Sequence, residues 1–324
     1  MLSRLRSIIN NINKDPNRKI RVLTFPTHEG YQSTLGLVPN VEWHMYMFNG
    51  GKKWDYHTRN LPPNHYIYEQ TAVRGDVQFD CVLSQEPLSQ YPIARNLKES
   101  FGIPLISLFH TEVYPNMTPK RVAHIKQSQI SDINIFITKH NQSSWGYDDT
   151  NSIVIPHGID TNIFSGWTGG QKAGISCVNH FKQRDVFCGF SIWEEVAKSV
   201  QMALVGENPG VSQSINDPVK LAQIYSQYAF FLNTSVLSPC PLSLLEAAAC
   251  GMPIISTANQ EVPKIFTHSE SALLSNDPKT LIKYCNEVMN NQELAQKLGN
   301  NARKLILDNF NVDQFTKNWR NVLE

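Results

Sequence analysis

Glu246 is a carboxylate placed just over one turn inside a predicted helix whose first residues are Leu242 and Ser243. The first N–H groups of a helix have no partner within it, and the helix dipole adds positive charge there, so this end is suited to a diphosphate. Glu246 faces much the same way as the first turn, and its carboxylate can accept both hydroxyls of a ribose. The alternative is a plain amphipathic helix with a glutamate that faces solvent.

The residues around this helix indicate where it begins and ends. Pro241 stands near the first turn, where proline is favoured, and Gly251 is suited to the left-handed residue that follows a last turn. The predicted helix is therefore Leu242–Cys250, and the apolar run Ile254–Ser256 predicts a strand after it.

Short apolar or β-branched runs alternate with helical patterns along the chain, which is typical of mostly parallel sheets covered by helices. The predicted strands are Ile20–Phe25, Val41–Met47, Cys81–Ser84, Pro104–Phe109, Ile133–Thr138, Ser152–Ile155, Ile175–Val178, Met202–Val205, Ala229–Asn233 and Pro253–Thr257. The other predicted helices are Tyr91–Phe101, Pro119–Ser131, Ile192–Val200 and Pro218–Tyr228, followed by a helical tail from Pro278 to Glu324.

The segment Gly166–Gly174 contains four glycines without an apolar period, and it predicts a linker. We therefore predict an N-terminal Rossmann-like domain over residues 1–165 and a second one over 175–324. The last helix is a candidate to cross back to the N-terminal domain. Two such domains would place ligands at the carboxyl ends of both sheets, in a cleft between them.

The composition bounds the class of protein. With 29 basic and 28 acidic residues, the 324-residue chain has a net charge of +1, and nothing global attracts it to nucleic acid or an anionic membrane. Six scattered cysteines without a C-x-x-C pair favour a reducing cytoplasm, and several of them lie in apolar stretches, where cysteine usually acts as a small buried hydrophobe. No apolar run is long enough to span a bilayer. Met1–Asn13 has no signal-peptide core, and it predicts a short packing or fraying helix rather than a membrane-surface helix.

The sequence of residues 241–257, PLSLLEAAACGMPIIST, resembles the donor-binding helix and following strand of retaining GT-B glycosyltransferases of family four. Other segments are similar to parts of this family and occur in the matching order. They are residues 155–160 with Phe164, residues 204–207 and residues 218–235. The resemblance implies the α/β GT-B fold, with two Rossmann-like domains facing across a cleft. It also implies transfer of a sugar from a nucleotide-diphosphate donor to an acceptor hydroxyl, with retained configuration, no metal, and no cofactor beyond the donor substrate.

The resemblance also implies roles for residues of the second half. Glu246 matches the second Glu of the family motif and would bind the donor ribose, and Leu242 and Ser243 would hold phosphate through their N–H groups. Ser238 stands where the first Glu, which usually contacts the transferred sugar, is expected, so the identity of the sugar stays open. Gly206 begins the segment GENPG, which is similar to the glycine-containing strand end of the family.

Two cations would offset the leaving diphosphate in this family, and the second precedes a glycine. Cys188 precedes the glycine here, so Arg184 and Lys182 are the best substitutes, Arg184 first because its fork fits phosphate oxygens. The alternative is a solvated loop with charges. No G-x-G-x-x-G follows a strand and no D-x-D occurs, which argues against a dinucleotide enzyme and a metal-dependent single-domain glycosyltransferase. No metal ligands are therefore predicted.

Two histidines follow predicted strands of the first half. His28 is followed by Glu29 and by Gly30, which lets a backbone approach a ligand, and these three are predicted to bind the acceptor. His110 follows another strand, and the resemblance makes it the first candidate to contact donor hydroxyls or the leaving phosphate. A capping or core role is the alternative for either histidine.

The acceptor is left open among a glycan, a lipid-linked sugar, a small metabolite and a hydroxymethylated DNA base. Seven aromatic residues between positions 43 and 68 suit either stacking on a sugar or base or an ordinary core. A modest basic strip fits DNA, and it consists of Arg4, Arg6, Lys14, Arg18, Lys19 and Arg21. The alternatives to a transferase are a catalytically degenerate nucleotide-sugar-binding protein and, more weakly, a phosphorylase or epimerase.

Overall fold

The computed structural model describes residues 18–68, 77–238 and 240–324, so the prediction for Met1–Asn13 lies outside the described residues. Contacts divide the chain into two compact units. Unit 1 comprises Met1–Asp55, Leu61–Pro156 and Asp313–Glu324, and unit 2 comprises Tyr56–Asn60 and His157–Val312.

Unit 1 is built on a seven-stranded sheet in the order β3-β2-β1-β4-β5-β6-β7, and all neighbouring strands are parallel. The strands are β1 (Ile20–Thr24), β2 (Val41–Tyr46), β3 (His65–Tyr68), β4 (Cys81–Ser84), β5 (Leu105–Phe109), β6 (Ile133–Phe136) and β7 (Ile153–Val154). The central strands β4, β5 and β6 are buried throughout, which is why their sequences are continuous apolar runs.

Four helices of the first half belong to unit 1. They are α1 (Glu29–Leu35), α2 (Gln90–Phe101), α3 (Pro119–Ser128) and α4 (Lys139–Ser144). Gly102 ends α2 in the left-handed region at φ 64°, and Thr118 caps α3 through its hydroxyl, which accepts from the Arg121 N–H. The order of strands brings the loops after β1, β4 and β5 to one edge of the sheet, since parallel strands share their carboxyl ends.

Unit 2 is built on a five-stranded parallel sheet in the order β12-β11-β10-β8-β9. Its strands are β8 (Gln171–Cys177), β9 (Met202–Val205), β10 (Tyr228–Asn233), β11 (Ile254–Ser256) and β12 (Leu273–Leu274). A 3-10 turn, Lys182–Arg184, follows β8. The helices are α5 (Asp185–Cys188), α6 (Phe190–Ala197), α7 (Pro218–Gln227), α8 (Leu242–Cys250), α9 (Val262–Ile265), α10 (Pro278–Asn290) and α11 (Gln292–Asn309).

The segment Gly166–Gly174, predicted as a linker, lies inside unit 2, and its second half forms the start of β8. The N–H of Trp167 donates to the Cys250 carbonyl, and its indole N–H donates to the Tyr228 carbonyl. Gly174 is a packing requirement, because a Cβ there would stand 2.3 Å from the ring of Phe230. The sequence predicts this strand too short at its start, from Ile175, because glycines favour a flexible linker, whereas Gly174 is required here by close packing.

The helical tail divides into three helices, and the last of them, α12 (Val312–Leu323), belongs to unit 1 from Asp313 onward. Its Trp319 is fully buried, and its indole N–H donates to the Tyr31 hydroxyl at 3.0 Å. Burial raises the pKa of Tyr31 far above its ordinary value, so its hydroxyl stays neutral. The core of unit 1 is thus completed by a helix that follows unit 2 in the sequence.

All six cysteines carry free thiols, and all but Cys177 are buried, which agrees with the prediction that they act as small hydrophobes. Among the described residues, no helix is both long enough and apolar enough to cross a membrane.

Candidate functional site

The helix that carries Glu246 has the bounds predicted for it, Leu242–Cys250. Pro241 is its N-cap residue, and Gly251 follows it in the left-handed region at φ 87°. The Glu246 side chain is buried, with 5% of its residue surface exposed, so the alternative of a solvent-facing glutamate is wrong. A carboxylate removed from water in this way requires a partner charge or donor.

That partner is Arg59, which belongs to unit 2 through the segment Tyr56–Asn60. Its Nη2 lies 2.9 Å from Oε1 of Glu246, and both side chains are largely buried. Burial raises the pKa of Glu246, and the charge and hydrogen bond of Arg59 act against that rise. An ion pair in this setting needs both members, because removing one leaves the other charged and unsolvated.

We call Tyr56–Asn60 the strap. Besides the Glu246 pair, Arg59 donates from Nη1 to the carbonyl of Ile215 at 3.4 Å. The amide of Asn179 donates to the Thr58 hydroxyl at 3.3 Å, and the amide of Asn216 donates to the Tyr56 carbonyl at 3.1 Å. Asn179 follows β8, and Ile215 and Asn216 follow β9. The strap therefore lies at the carboxyl edge of the unit 2 sheet, where ligands bind in such folds.

Gly206 ends β9 in a conformation that only glycine adopts readily, at φ 119°, and a Cβ there would stand 2.3 Å from the Val178 carbonyl oxygen. Asn208, two residues on, is buried and donates to the carbonyls of Val178 and Gly206. Asn179 accepts from the N–H of Glu207 at 2.9 Å. The loops after β8 and β9 are therefore fixed to each other by backbone contact and two asparagines.

Lys182 and Arg184 are exposed on the 3-10 turn that follows β8, at the same edge of the sheet. Arg184 donates from Nη1 to the carbonyl of Asn179 at 3.3 Å. Cys188 is buried, and burial raises the pKa of its thiol, so it supplies no charge. The following Gly189 is required by close approach, since a Cβ there would stand 2.0 Å from the Thr234 carbonyl oxygen.

Ser238 lies in the half-buried loop between β10 and α8. The N–H groups of Val236 and Leu237 both donate to the Phe187 carbonyl, which fixes this loop beside the turn that carries the cations. Leu242 and Ser243 are half-buried, and their N–H groups belong to the first turn of α8, where the helix itself provides no acceptor.

In unit 1, His28 and His110 lie together, with ring centroids 4.0 Å apart. His28 follows β1 and has a left-handed backbone at φ 47°, which is rare for a residue other than glycine and marks a constrained position. His110 follows β5 and is buried, and Tyr31 packs edge-on against its ring at 4.7 Å. Two predicted site residues are therefore brought to the same edge of this sheet.

A chain of hydrogen bonds fixes the proton of His110. The Thr24 hydroxyl donates to the Leu83 carbonyl at 3.0 Å, so its oxygen accepts from Nε2 of Gln85 at 3.2 Å. Oε1 of Gln85 then accepts from Nε2 of His110 at 3.1 Å. This arrangement places a proton on Nε2 of His110.

Glu29, predicted to bind the acceptor, is buried and already paired. It accepts from Nζ of Lys52 at 2.6 Å and from the N–H of Asp55 at 3.2 Å, and so it anchors the loop after β2. Gly30 is half-buried in the first turn of α1.

The aromatic residues between positions 43 and 68 differ in exposure. Trp43 and Trp54 are buried core residues and cannot stack on a ligand, whereas Tyr56 and Tyr66 are exposed.

The described part of the basic strip is paired with carboxylates. Arg18 bonds to Asp80 at 2.7 Å, and Lys19 and Arg21 both lie beside Glu42. Arg4, Arg6 and Lys14 lie outside the described residues. These ion pairs reduce the positive charge that the strip offers to a DNA backbone.

Residues 179–305 match the family model described as glycosyl transferases group 1. This part of the chain is a glycosyl transferases group 1 domain. The matched region holds every site residue predicted for the second half, from Lys182 to Glu246.

Solved structures show that the glycosyltransferase has the GT-B fold. Sucrose-phosphate synthase from Thermosynechococcus elongatus is 14% identical, with a TM-score of 0.71, 94% of this chain and 98% of that chain being covered. HepE of Anabaena, in complex with UDP, is 12% identical with a TM-score of 0.73, and the match covers 94% of this chain and 99% of HepE. A glycosyltransferase from Rickettsia africae is 12% identical with a TM-score of 0.69, and 95% and 98% are covered. No curated protein matches the sequence significantly.

Three polar residues that form hydrogen bonds at the carboxyl edges of the two sheets are not predicted as site residues from the sequence. They are Arg59, Asn179 and Gln85. Nothing in the sequence around Arg59 signals a partner 187 positions away. Asn179 and Gln85 each follow a strand, at positions where polar residues commonly face a ligand edge, and that signal could have identified them.

We expect acid to destabilise unit 2 of the glycosyltransferase through His157. Burial lowers the pKa of this histidine to about 4, against a bond to the Cys240 backbone that raises it. Between this value and the ordinary 6.5 the unfolded chain binds the additional proton, so stability is lost as the pH falls through that window. From pH 6.5 to pH 5 the loss is about 2 kcal/mol.

Urea unfolding of wild type and His157→Asn at both pH values checks this prediction, with His124→Asn, which changes an exposed histidine, as the control. Equal pH slopes for wild type and His157→Asn would contradict it.

Proposed function

We propose that this glycosyltransferase moves a sugar from a nucleotide-diphosphate donor to an acceptor hydroxyl, and that unit 2 binds the donor. The observation that carries the proposal is the buried, ion-paired Glu246, just over a turn from the start of α8 at the carboxyl edge of the sheet. A carboxylate there accepts hydroxyls of the donor ribose. HepE, which is similar in fold, is described in complex with UDP and with UDP-glucose, and this supports a nucleotide-sugar donor.

The diphosphate is bound by the exposed Arg184 and Lys182 and by the first-turn N–H groups of Leu242 and Ser243. These groups offer positive charge without a metal ion, so we propose metal-independent transfer. Gly206 keeps the loops after β8 and β9 in register beneath the donor. Ser238 lies before α8, and we propose that it contacts the transferred sugar by its hydroxyl.

His110 contacts donor hydroxyls or the leaving phosphate in this proposal, and His28, Glu29 and Gly30 belong to the acceptor side. We propose that configuration is retained and that the leaving phosphate helps to deprotonate the acceptor. A glycan or lipid-linked sugar is favoured over a DNA base, because the described basic strip is paired with Asp80 and Glu42.

A catalytically degenerate nucleotide-sugar-binding protein is the second candidate. It is favoured by two observations. The buried neutral thiol of Cys188 stands where the second cation of the family is expected, and Ser238 stands where the first glutamate is expected. Nucleotide-sugar binding without turnover on any acceptor, and without slow donor hydrolysis, would support this candidate over the transferase.

Calorimetric titration of UDP, GDP, ADP and their common sugar conjugates, with and without a chelator, tests the donor site. We expect one nucleotide to bind whether or not chelator is present. Replacing Glu246 with alanine removes charge-assisted bonds worth about 1.5–3 kcal/mol, so we expect affinity to fall roughly ten- to a hundredfold. Full binding by the variant would overturn the role of Glu246. No binding of any nucleotide by the wild type would overturn the donor site itself.

A further inference from the structure

We propose that Arg59 is a positioning residue of the donor site: it binds one carboxylate oxygen of Glu246 and thereby directs the other toward the ribose. The inference rests on the proposed function, since it assumes that Glu246 binds the donor. Arg59 comes from the N-terminal half of the sequence. It therefore lies outside the family match, which begins at residue 179.

The geometry fixes the guanidinium at two of its nitrogens. Nη1 donates to the carbonyls of Thr58 and Ile215, at 3.0 and 3.4 Å, while Nη2 donates to Oε1 of Glu246 at 2.9 Å. A planar fork held at both ends cannot turn freely, and so it determines the direction of the carboxylate that it binds. Arg59 binds only Oε1 of Glu246, and by holding this oxygen it also fixes the direction of Oε2.

The charges around Glu246 leave Arg59 as its counterion. The other titratable groups facing it are Tyr225 from α7, Cys177 from β8 and Cys250 from its own helix. Burial raises the pKa of Cys177 to about 11, that of Cys250 to about 12, and that of Tyr225 well above its ordinary value, so all three are neutral near pH 7. Arg303 of α11, which packs against α8, donates instead to the carbonyls of Phe164 and Ala249.

Without Arg59, the larger of the two groups that oppose burial is lost, and only the hydrogen bond of Tyr225 remains to lower the pKa of Glu246. Burial would then favour the protonated form. A protonated carboxyl is a weaker acceptor for ribose hydroxyls than a carboxylate is. The consequence is specific to this role: donor binding should become pH-dependent when Arg59 is neutralised.

The strap allows a rival interpretation, in which Arg59 occupies the site and the donor must displace it. The two interpretations predict effects of opposite sign. A positioning residue strengthens binding, whereas an occluding residue weakens it, so that its removal would tighten binding at every pH. The ion pair favours positioning, because displacing Arg59 would leave the buried Glu246 without a counterion.

The test measures the dissociation constant of UDP-glucose between pH 5.5 and 8.5 by calorimetry. Both phosphates of this probe are esterified and do not titrate in that range. We expect nearly constant affinity for wild type. For Arg59→Met we expect at least tenfold weaker binding at pH 6 that recovers as the pH rises, and for Arg59→Lys an intermediate loss with little pH dependence. Lys220→Met, an exposed charge change in unit 2, is the matched control.

The outcomes separate the inference from the proposed function. If wild type binds none of the common UDP, GDP and ADP sugar conjugates, or Glu246→Gln binds like wild type, the donor role of Glu246 fails. If Glu246→Gln loses binding while Arg59→Met binds like wild type at every pH, or binds more tightly, the positioning role alone is overturned. Should Arg59→Met not fold, the neutral pair Arg59→Met with Glu246→Gln replaces it, and weak binding without pH dependence is then expected.

Discussion

Replacing Trp319 with alanine is expected to lower the free energy of unfolding of unit 1 by about 3–5 kcal/mol, the range for large aromatic residues removed from a core. Trp319 is fully buried and packs edge-on against Trp43 at a centroid distance of 6.3 Å. The change also removes the hydrogen bond to the Tyr31 hydroxyl, which would remain buried without this donor. The loss therefore combines a cavity with a lost polar partner.

Thermal and urea unfolding followed by tryptophan fluorescence and circular dichroism measure this effect. Asn321→Ala is the matched control, because Asn321 is exposed on the same helix α12 and should change stability by less than about 0.5 kcal/mol. A loss below about 1 kcal/mol for Trp319→Ala would show that α12 does not complete the core of unit 1.

Gly206→Ala is expected to cost about 4 kcal/mol in unit 2, the sum of two separate penalties. The backbone at φ 119° is strained for any side chain, which costs about 1–3 kcal/mol. The new Cβ would also stand 2.3 Å from the Val178 carbonyl oxygen, and relieving such overpacking costs about 1–3 kcal/mol more. Since the strand ends must separate, we also expect weaker nucleotide-sugar binding.

Gly210→Ala isolates the first of these penalties. Gly210 lies in the same loop at φ 76°, and a Cβ there would have no atom within 4 Å, so only backbone strain of about 1–2 kcal/mol is expected. Chemical unfolding of both variants, with calorimetric binding of UDP-glucose, gives the comparison. Equal losses for the two glycines would contradict the close approach at Val178.

The parts of the fold that local signals determine could be predicted from the sequence. The helix Leu242–Cys250 has its observed bounds because Pro241 and Gly251 act within one turn of its ends. The strands Cys81–Ser84 and Met202–Val205 also have their observed bounds, since each is a short apolar run next to polar residues. The helix predicted as Pro119–Ser131 extends too far, since the observed helix ends at Ser128.

The elements that were missed lack such signals. The helix Glu29–Leu35 is only seven residues long and begins at the left-handed His28 without a side-chain cap, so neither its period nor its start is visible. The edge strand His65–Tyr68 is fixed by pairing with β2, which is a tertiary contact. The pair of Glu246 with Arg59 likewise depends on where the strap lies, and the segment around Arg59 has no feature that indicates this.

The division of the sequence between the units has a consequence for protein synthesis. The partners of Trp319, among them Tyr31 and Trp43, leave the ribosome early, but α12 follows only after the whole of unit 2 has been translated. At about 5–20 residues per second this delay is roughly 10–30 s, far longer than the collapse of a domain-sized chain. During that interval an apolar surface of the nascent unit 1 stays uncovered, and it is there that a chaperone would be expected to bind.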